Sequence, residues 1–177
     1  GLDRGGVAGV LFWTAAAMTA GYVAIGFATE RLARIGVAPM TTGVWGMTLF
    51  MAVQALIVWA PVDWATPLWM LFGFIGTSGV IPYPALAACF PAHLAGRVST
   101  GLNVLVFVAA FAAQWGVGAV IALFPVSADG RYSPEGYQAS FLVLLALQAA
   151  GLAWYVAAPR VRGWEAGRLG SWRLGRR

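Results

Sequence analysis

Residues 98–128, VSTGLNVLVFVAAFAAQWGVGAVIALFPVSA, form an apolar stretch without a charged side chain. A helix needs about 20 residues to cross a hydrocarbon core about 30 Å thick, so this stretch is long enough to span a membrane. Four other stretches share its length and apolar character: Gly5–Thr29, Ile35–Val62, Trp64–Gly96 and Gly136–Pro159. Segments of this length satisfy their backbone hydrogen bonds in lipid as helices, because barrel strands have about ten residues. The sequence therefore predicts an all-α, polytopic transmembrane bundle with five spans.

The helix start and stop signals divide the chain into a bundle and a tail. The spans are predicted at about residues 6–28, 40–60, 66–90, 98–124 and 135–157, so that residues 1–158 form the transmembrane bundle. Residues 159–177 are rich in arginine and glycine and contain Trp164 and Trp172. We expect this basic tail either to touch anionic lipid headgroups or to be disordered.

The distribution of arginine predicts the orientation of the bundle. The chain carries a net charge of +5, but it lacks the soluble module with a basic, aromatic face that would suggest nucleic acid. If alternate connections share a compartment, most arginines lie on one side: Arg31, Arg34, Arg97, Arg160, Arg162, Arg168, Arg173, Arg176 and Arg177. The other side holds Arg4 and Arg131. The positive-inside rule then places the N-terminus outside and the C-terminus in the cytoplasm.

The spans lack the residues that most membrane-embedded catalysts need. No Asp or Glu lies in the middle of a span for acid–base chemistry, and the chain has one histidine, His93, and one cysteine, Cys89. No metal, haem or other cofactor site is predicted, and an enzyme is the least favoured function.

The fourth span carries the main polar stripe. At about 100° per residue, its members share a face roughly 100° wide. They are Ser99, Thr100, Asn103, Phe107, Ala110 and Gln114. This face is predicted to point away from lipid, and two interpretations stay open: interhelical hydrogen bonds, or the wall of a water-filled path. Asn103 and Gln114 are candidates for lining a substrate cavity, together with Tyr83 and Thr77 of the third span.

The third span combines small residues with prolines. Gly73, Gly76 and Gly79 share a face with Tyr83, which lies between Pro82 and Pro84. The glycines permit close helix packing, and the prolines permit a bend. Close packing alone explains the glycines, whereas a bend beside Tyr83 is what a gating helix would need.

Residues 26–34, GFATERLAR, resemble the signature of the major facilitator superfamily: glycine, an acid and arginine four and five residues later, and a further basic residue. In that family the motif lies in the short cytoplasmic loop after the second helix of each half. Here Glu30 replaces the usual Asp, and Ala33 replaces the usual second Gly. The resemblance implies that Gly26, Glu30, Arg31 and Arg34 form a conformational-switch motif. It also implies that the five spans correspond to helices eight to twelve of a twelve-helix transporter.

The sequence thus predicts part of a secondary transporter in the cytoplasmic, inner membrane of a bacterium. By the resemblance, its partners would be membrane lipids, a small-molecule solute and a missing N-terminal half that completes the path between the two halves. The alternative is a non-transporting membrane anchor or assembly subunit, in which the polar stripe serves only to hold helices together.

Overall fold

The fold was analysed in a computed structural model that describes residues 4–126, 130 and 132–158. These residues form α1 (Arg4–Arg34), α2 (Pro39–Trp59), α3 (Ala65–Gly76), α4 (Pro82–Ala87), α5 (Ala95–Ile121) and α6 (Pro134–Ala157). An isolated β-bridge joins Val126 and Tyr132 in the connection before α6. Five helical segments are long and apolar enough to cross a membrane, as the sequence predicts, with α3 and α4 sharing the third span, Val62–Ala87. The tail at 159–177 and part of the α5–α6 connection lie outside the described residues.

The first helix is longer than its predicted span of about 6–28, because it continues through the Gly26–Arg34 motif. The residues after Thr29 are mostly good helix formers. The helix stops before Gly36, whose φ of 91° suits glycine. The amides of Gly36 and Val37 donate to the carbonyls of Ala33 and Leu32, as in a Schellman cap. The motif is therefore the last turns of α1, followed by a tight turn into α2.

The third span is interrupted near its middle. Its α-helix ends at Gly76, a 3₁₀ turn covers Thr77–Val80, and α4 begins at Pro82. Pro82 and Pro84 lack N–H groups, so the carbonyls of Ser78 and Val80 lose their usual helical donors. The Ser78 carbonyl accepts the Ile81 amide instead, at 3.1 Å. The bend that the two prolines predict thus takes the form of a 3₁₀ segment on their N-terminal side.

Glycines let α1 and α2 approach the third span closely. A Cβ atom on Gly21 of α1 would lie 2.5 Å from the Phe74 carbonyl oxygen, and one on Gly46 of α2 would lie 2.5 Å from the Ser78 side chain. A Cβ on Gly73 would lie 2.9 Å from Thr14 of α1. These distances are too short for a further side chain, so the third span is held between α1 and α2 by close contacts that require glycine.

The remaining helices attach differently. The sixth helix packs on α2 and on α5, whereas α5 also contacts α4. Between these attachments the middle of α5 is uncovered: Leu105, Phe107 and Phe111 are 67%, 60% and 73% exposed. Leu105 and Phe107 lie on nearly opposite faces of the helix, about 200° apart, so α5 stands apart from the bundle over its middle turns.

Candidate functional site

Two of the predicted cavity residues meet between α4 and α5. The Tyr83 hydroxyl lies 3.2 Å from the Asn103 Oδ1 atom and donates a hydrogen bond to it. Tyr83 follows the proline that opens α4, and Asn103 is in the first half of α5. The bond therefore links the short helix after the break to the helix that carries the polar stripe.

Gln114 lies on the same face of α5 as Asn103, because eleven residues at about 100° each return within roughly 20° of the starting direction. The two amides are about 16 Å apart along the helix axis at 1.5 Å per residue. Both residues are exposed, and so are Thr100, Phe107 and Ala110 of the same stripe. Apart from the contact of Tyr83 with Asn103, the other described helices leave this polar face exposed.

Thr77 occupies a different environment. It is 3% exposed, and its hydroxyl donates to the Phe74 carbonyl oxygen at 2.7 Å. The Thr77 Oγ1 atom also lies 2.8 Å from where a Cβ on Gly21 would be. Thr77 thus lies in the contact between the third span and α1, and the structure does not bring it together with Asn103 and Gln114.

The motif at the end of α1 borders an open cleft of about 1520 Å³. Gly26, Glu30 and Arg34 line it, whereas Arg31 is exposed outside the lining. The Arg34 guanidinium and the Glu30 carboxylate form an ion pair at 2.7 Å within the last turns of the helix. Their side chains are 71% and 63% exposed, so the pair itself adds little stability.

The opposite wall of the cleft is built from the interrupted part of the third span. Val80, Ile81, Pro84, Ala85 and Cys89 line this side. The turn into α2 closes one end. The break in the third span and the motif on α1 therefore meet at one cavity, although they are about fifty residues apart in the sequence.

A set of amides that the sequence analysis did not single out joins α2 to α6. The Gln54 side chain donates to the Phe141 carbonyl oxygen at 3.0 Å and accepts a hydrogen bond from Gln148 at 2.9 Å. The Gln138 side chain donates to the Val58 carbonyl oxygen at 3.1 Å. Gln138, Phe141 and Gln148 are spaced by three and seven residues, as positions on one helix face are, and that periodicity could have indicated this interface.

The described residues contain no group of three or more His, Cys, Asp or Glu side chains that could hold a metal ion. His93 is an exposed residue of the 3₁₀ turn at Ala92–Leu94, before α5. The notable polar groups of the site are thus neutral amides and hydroxyls, together with the ion pair at the cleft.

Comparison of the chain with protein-family models, with curated proteins and with solved structures finds no match. The five helices that could cross a membrane define the class of protein as polytopic and membrane-spanning.

Proposed function

We propose that this chain is part of a secondary active transporter of the major facilitator type, a twelve-helix protein of a bacterial cytoplasmic membrane. In this proposal a small solute crosses by alternating access, and the described helices correspond to helices eight to twelve. The protein acts without a cofactor, and its role is not enzymatic.

The observation that carries the proposal is the uncovered polar face of α5. The fourth span, Ala92–Ile121, has its centre between Val106 and Phe107. Asn103 and Gln114 lie about 5 Å and 11 Å from that centre along the axis, within the roughly 15 Å of one leaflet. An amide left in hydrocarbon without a partner costs roughly 2–7 kcal/mol. Asn103 has Tyr83 as a partner, so the exposed Gln114 is the amide that requires water or further polar protein next to it, and a solute path between two halves supplies both.

Two further features support the same function. The third span contains a 3₁₀ turn at Thr77–Val80, and such a turn within a helix often marks a functional hinge. The Gly26–Arg34 motif lies at the end of α1 beside the bend, where a change in the ion pair can bias the equilibrium between conformations. Glu30→Gln in the complete protein is expected to change the population of conformations and to leave solute affinity within one conformation nearly unchanged.

One observation favours the alternative, a non-transporting anchor or assembly subunit. Asn103 already accepts a hydrogen bond from Tyr83, which is what an amide that only holds helices together would do. Gln114 distinguishes the two functions better, because its side chain is exposed away from the described helices.

Thiol labelling at Gln114 tests the proposal without knowledge of the solute. In a Cys89→Ser background, Gln114→Cys is expected to react with N-ethylmaleimide in intact membranes, because maleimides need a hydrated thiolate. The matched control is Leu147→Cys on α6, a site that is 65% exposed but surrounded by apolar residues. Leu147→Cys is expected to stay unlabelled.

Labelling of Gln114→Cys that is no faster than that of Leu147→Cys would contradict a water-filled path. If Gln114→Cys reacts faster than Leu147→Cys and a transported solute slows its reaction, the proposal would extend to the position of the solute site.

The proposed orientation has its own test. Tyr132→Cys, in the connection before α6, is expected to react with a membrane-impermeant maleimide in intact cells. Ile35→Cys, beside the motif, is expected to react only after the cells are permeabilised. Labelling of Ile35→Cys but not of Tyr132→Cys in intact cells would contradict the proposed orientation.

A further inference from the structure

The cleft beside the motif has apolar walls over most of its length. Ile25 of α1 and Val80, Ile81, Pro84 and Ala85 of the third span supply these walls. A Cβ added at Gly26 would meet no atom within 4 Å, so the space extends up to the α1 backbone. The polar lining consists of Tyr22, Thr29, Glu30, Arg34 and Cys89.

The length of the cleft corresponds to one membrane leaflet. Its lining on α1 runs from Tyr22 to Arg34, which is about 18 Å at 1.5 Å per residue. Half of a hydrocarbon core is about 15 Å. With Arg34 at headgroup depth, the deep end near Tyr22 reaches the middle of the membrane. The cleft is thus an apolar furrow that runs from the membrane surface to the bilayer centre.

The charged groups of the cleft are confined to its surface end. Arg34 donates one hydrogen bond to Glu30, which leaves most of its five N–H donors available. Arg31 is exposed outside the lining, so Arg34 is the positively charged side chain among the described residues that line the cleft. The first turn of α2 lies at the same end, and its N-cap, Ala38, makes no side-chain cap hydrogen bond. A positive helix end and a guanidinium therefore lie beside the mouth of an apolar furrow.

We infer that this cleft binds an anionic phospholipid, with its phosphate on Arg34 and one acyl chain between α1 and the interrupted third span. The apolar walls match the chain, the depth matches the leaflet, and the arginine matches the phosphate. A soluble anion would use only the charged end of the cleft. A zwitterionic phospholipid such as phosphatidylcholine carries a quaternary ammonium that offsets its phosphate charge beside Arg34, so an anionic headgroup matches the guanidinium better. The site does not depend on transport, so it can be tested whether or not a solute path exists.

Lipid retention by the purified full-length protein tests this site. After delipidation, the protein is titrated with 1-palmitoyl-2-oleoyl phosphatidylglycerol or with phosphatidylcholine of the same chains, and bound lipid is counted by native mass spectrometry. We expect one phosphatidylglycerol to be held about tenfold more tightly than phosphatidylcholine, the size of one charge-assisted interaction.

The ion pair supplies two variants with opposite expected effects. Arg34→Gln removes the phosphate ligand and is expected to abolish the preference for phosphatidylglycerol. Glu30→Gln removes the competing carboxylate, so it is expected to tighten phosphatidylglycerol binding. A purely structural ion pair would make both variants act in the same direction. Arg97→Gln, outside the cleft lining but among the other predicted cytoplasmic arginines, is the matched control and should bind as the unmodified protein does.

A third variant tests the acyl-chain part of the site. Gly26→Leu places a side chain in the open furrow and is expected to weaken the binding of phosphatidylglycerol without loss of the folded state. Equal retention of the two lipids by the unmodified protein would overturn the inference. The same holds if Arg34→Gln and Glu30→Gln shift the lipid preference in the same direction, or if Gly26→Leu leaves lipid binding unchanged.

Discussion

The bundle has a packed side and an open side, and both contain amides in membrane-spanning helices. On the packed side, formed by the contacts of the third span with α1 and α2 and of α2 with α6, Gln54 is 2% exposed and is hydrogen-bonded to α6. On the open side, formed by the middle turns of α5, Gln114 is exposed. The same residue type thus holds helices together in one place and remains available to water or a partner in the other. The chemistry of an amide does not decide its role, whereas the neighbouring helix does.

The two central glycines of α1 should differ most in their tolerance of alanine. Gly21→Ala is expected to lower the free energy of unfolding by about 2–3 kcal/mol, because its Cβ would lie 2.5 Å from the Phe74 carbonyl oxygen. Gly26→Ala, which meets open space, is expected to raise it by about 0.5–1 kcal/mol through helix propensity. Unfolding in SDS, followed by far-ultraviolet circular dichroism, measures both. Equal effects at the two positions would show that α1 does not approach the third span closely.

Alanine substitution should lower the stability of the protein at the buried Gln54 but not at the exposed Gln114. Gln54→Ala is expected to cost about 2 kcal/mol of unfolding free energy, since it removes two interhelical hydrogen bonds and leaves a cavity between α2 and α6. Gln114→Ala is expected to stay within about 0.5 kcal/mol of the unmodified protein. The same SDS titration gives both values. A large loss of unfolding free energy in Gln114→Ala would show that Gln114 belongs to the packed side.

If the polar face of α5 lines a solute cavity, Gln114→Ala has a second consequence. Solute binding by the complete transporter is expected to weaken by about 1 kcal/mol, the usual net value of one hydrogen bond. Gln54→Ala should leave the affinity of the folded protein unchanged. Isothermal titration of the reconstituted protein with its solute compares the two variants. An affinity loss in Gln54→Ala but not in Gln114→Ala would mean that Gln54, and not Gln114, contacts the solute.

A small effect is expected at the boundary between the two sides. Tyr83→Phe removes the hydrogen bond to Asn103 and is expected to cost about 0.6 kcal/mol, the average for side-chain bonds between membrane helices. A double-mutant cycle with Asn103→Ala isolates this coupling. Coupling near zero would mean that water competes for both groups and that the open side reaches Tyr83.

Much of the secondary structure could be predicted from the sequence, for reasons that are local. The length and hydropathy of each stretch are sufficient for a spanning helix, because backbone polar groups in lipid have no alternative partner. Pro82 and Pro84 indicated a bend in the third span, since each removes a backbone donor. The end of α1 was less predictable: Gly26 and Gly36 look alike in the sequence, but only Gly36 has the positive φ that ends the helix.

The partners of the side chains depended on the tertiary structure. The sequence could place Thr77 and Asn103 in polar positions, but it could not show that Thr77 lies against Gly21 while Asn103 faces Tyr83. The spacing of Gln138 and Gln148 could indicate a polar face on α6, but the sequence did not show that Gln54 of α2 packs against it, because the hydropathy of a residue is the same on every face of the bundle. Local interactions fix which segments are helical, whereas close approach, exposure and the cleft beside the motif arise only when distant helices pack. For this reason the class of protein follows from the sequence by itself, and the candidate site only from the fold.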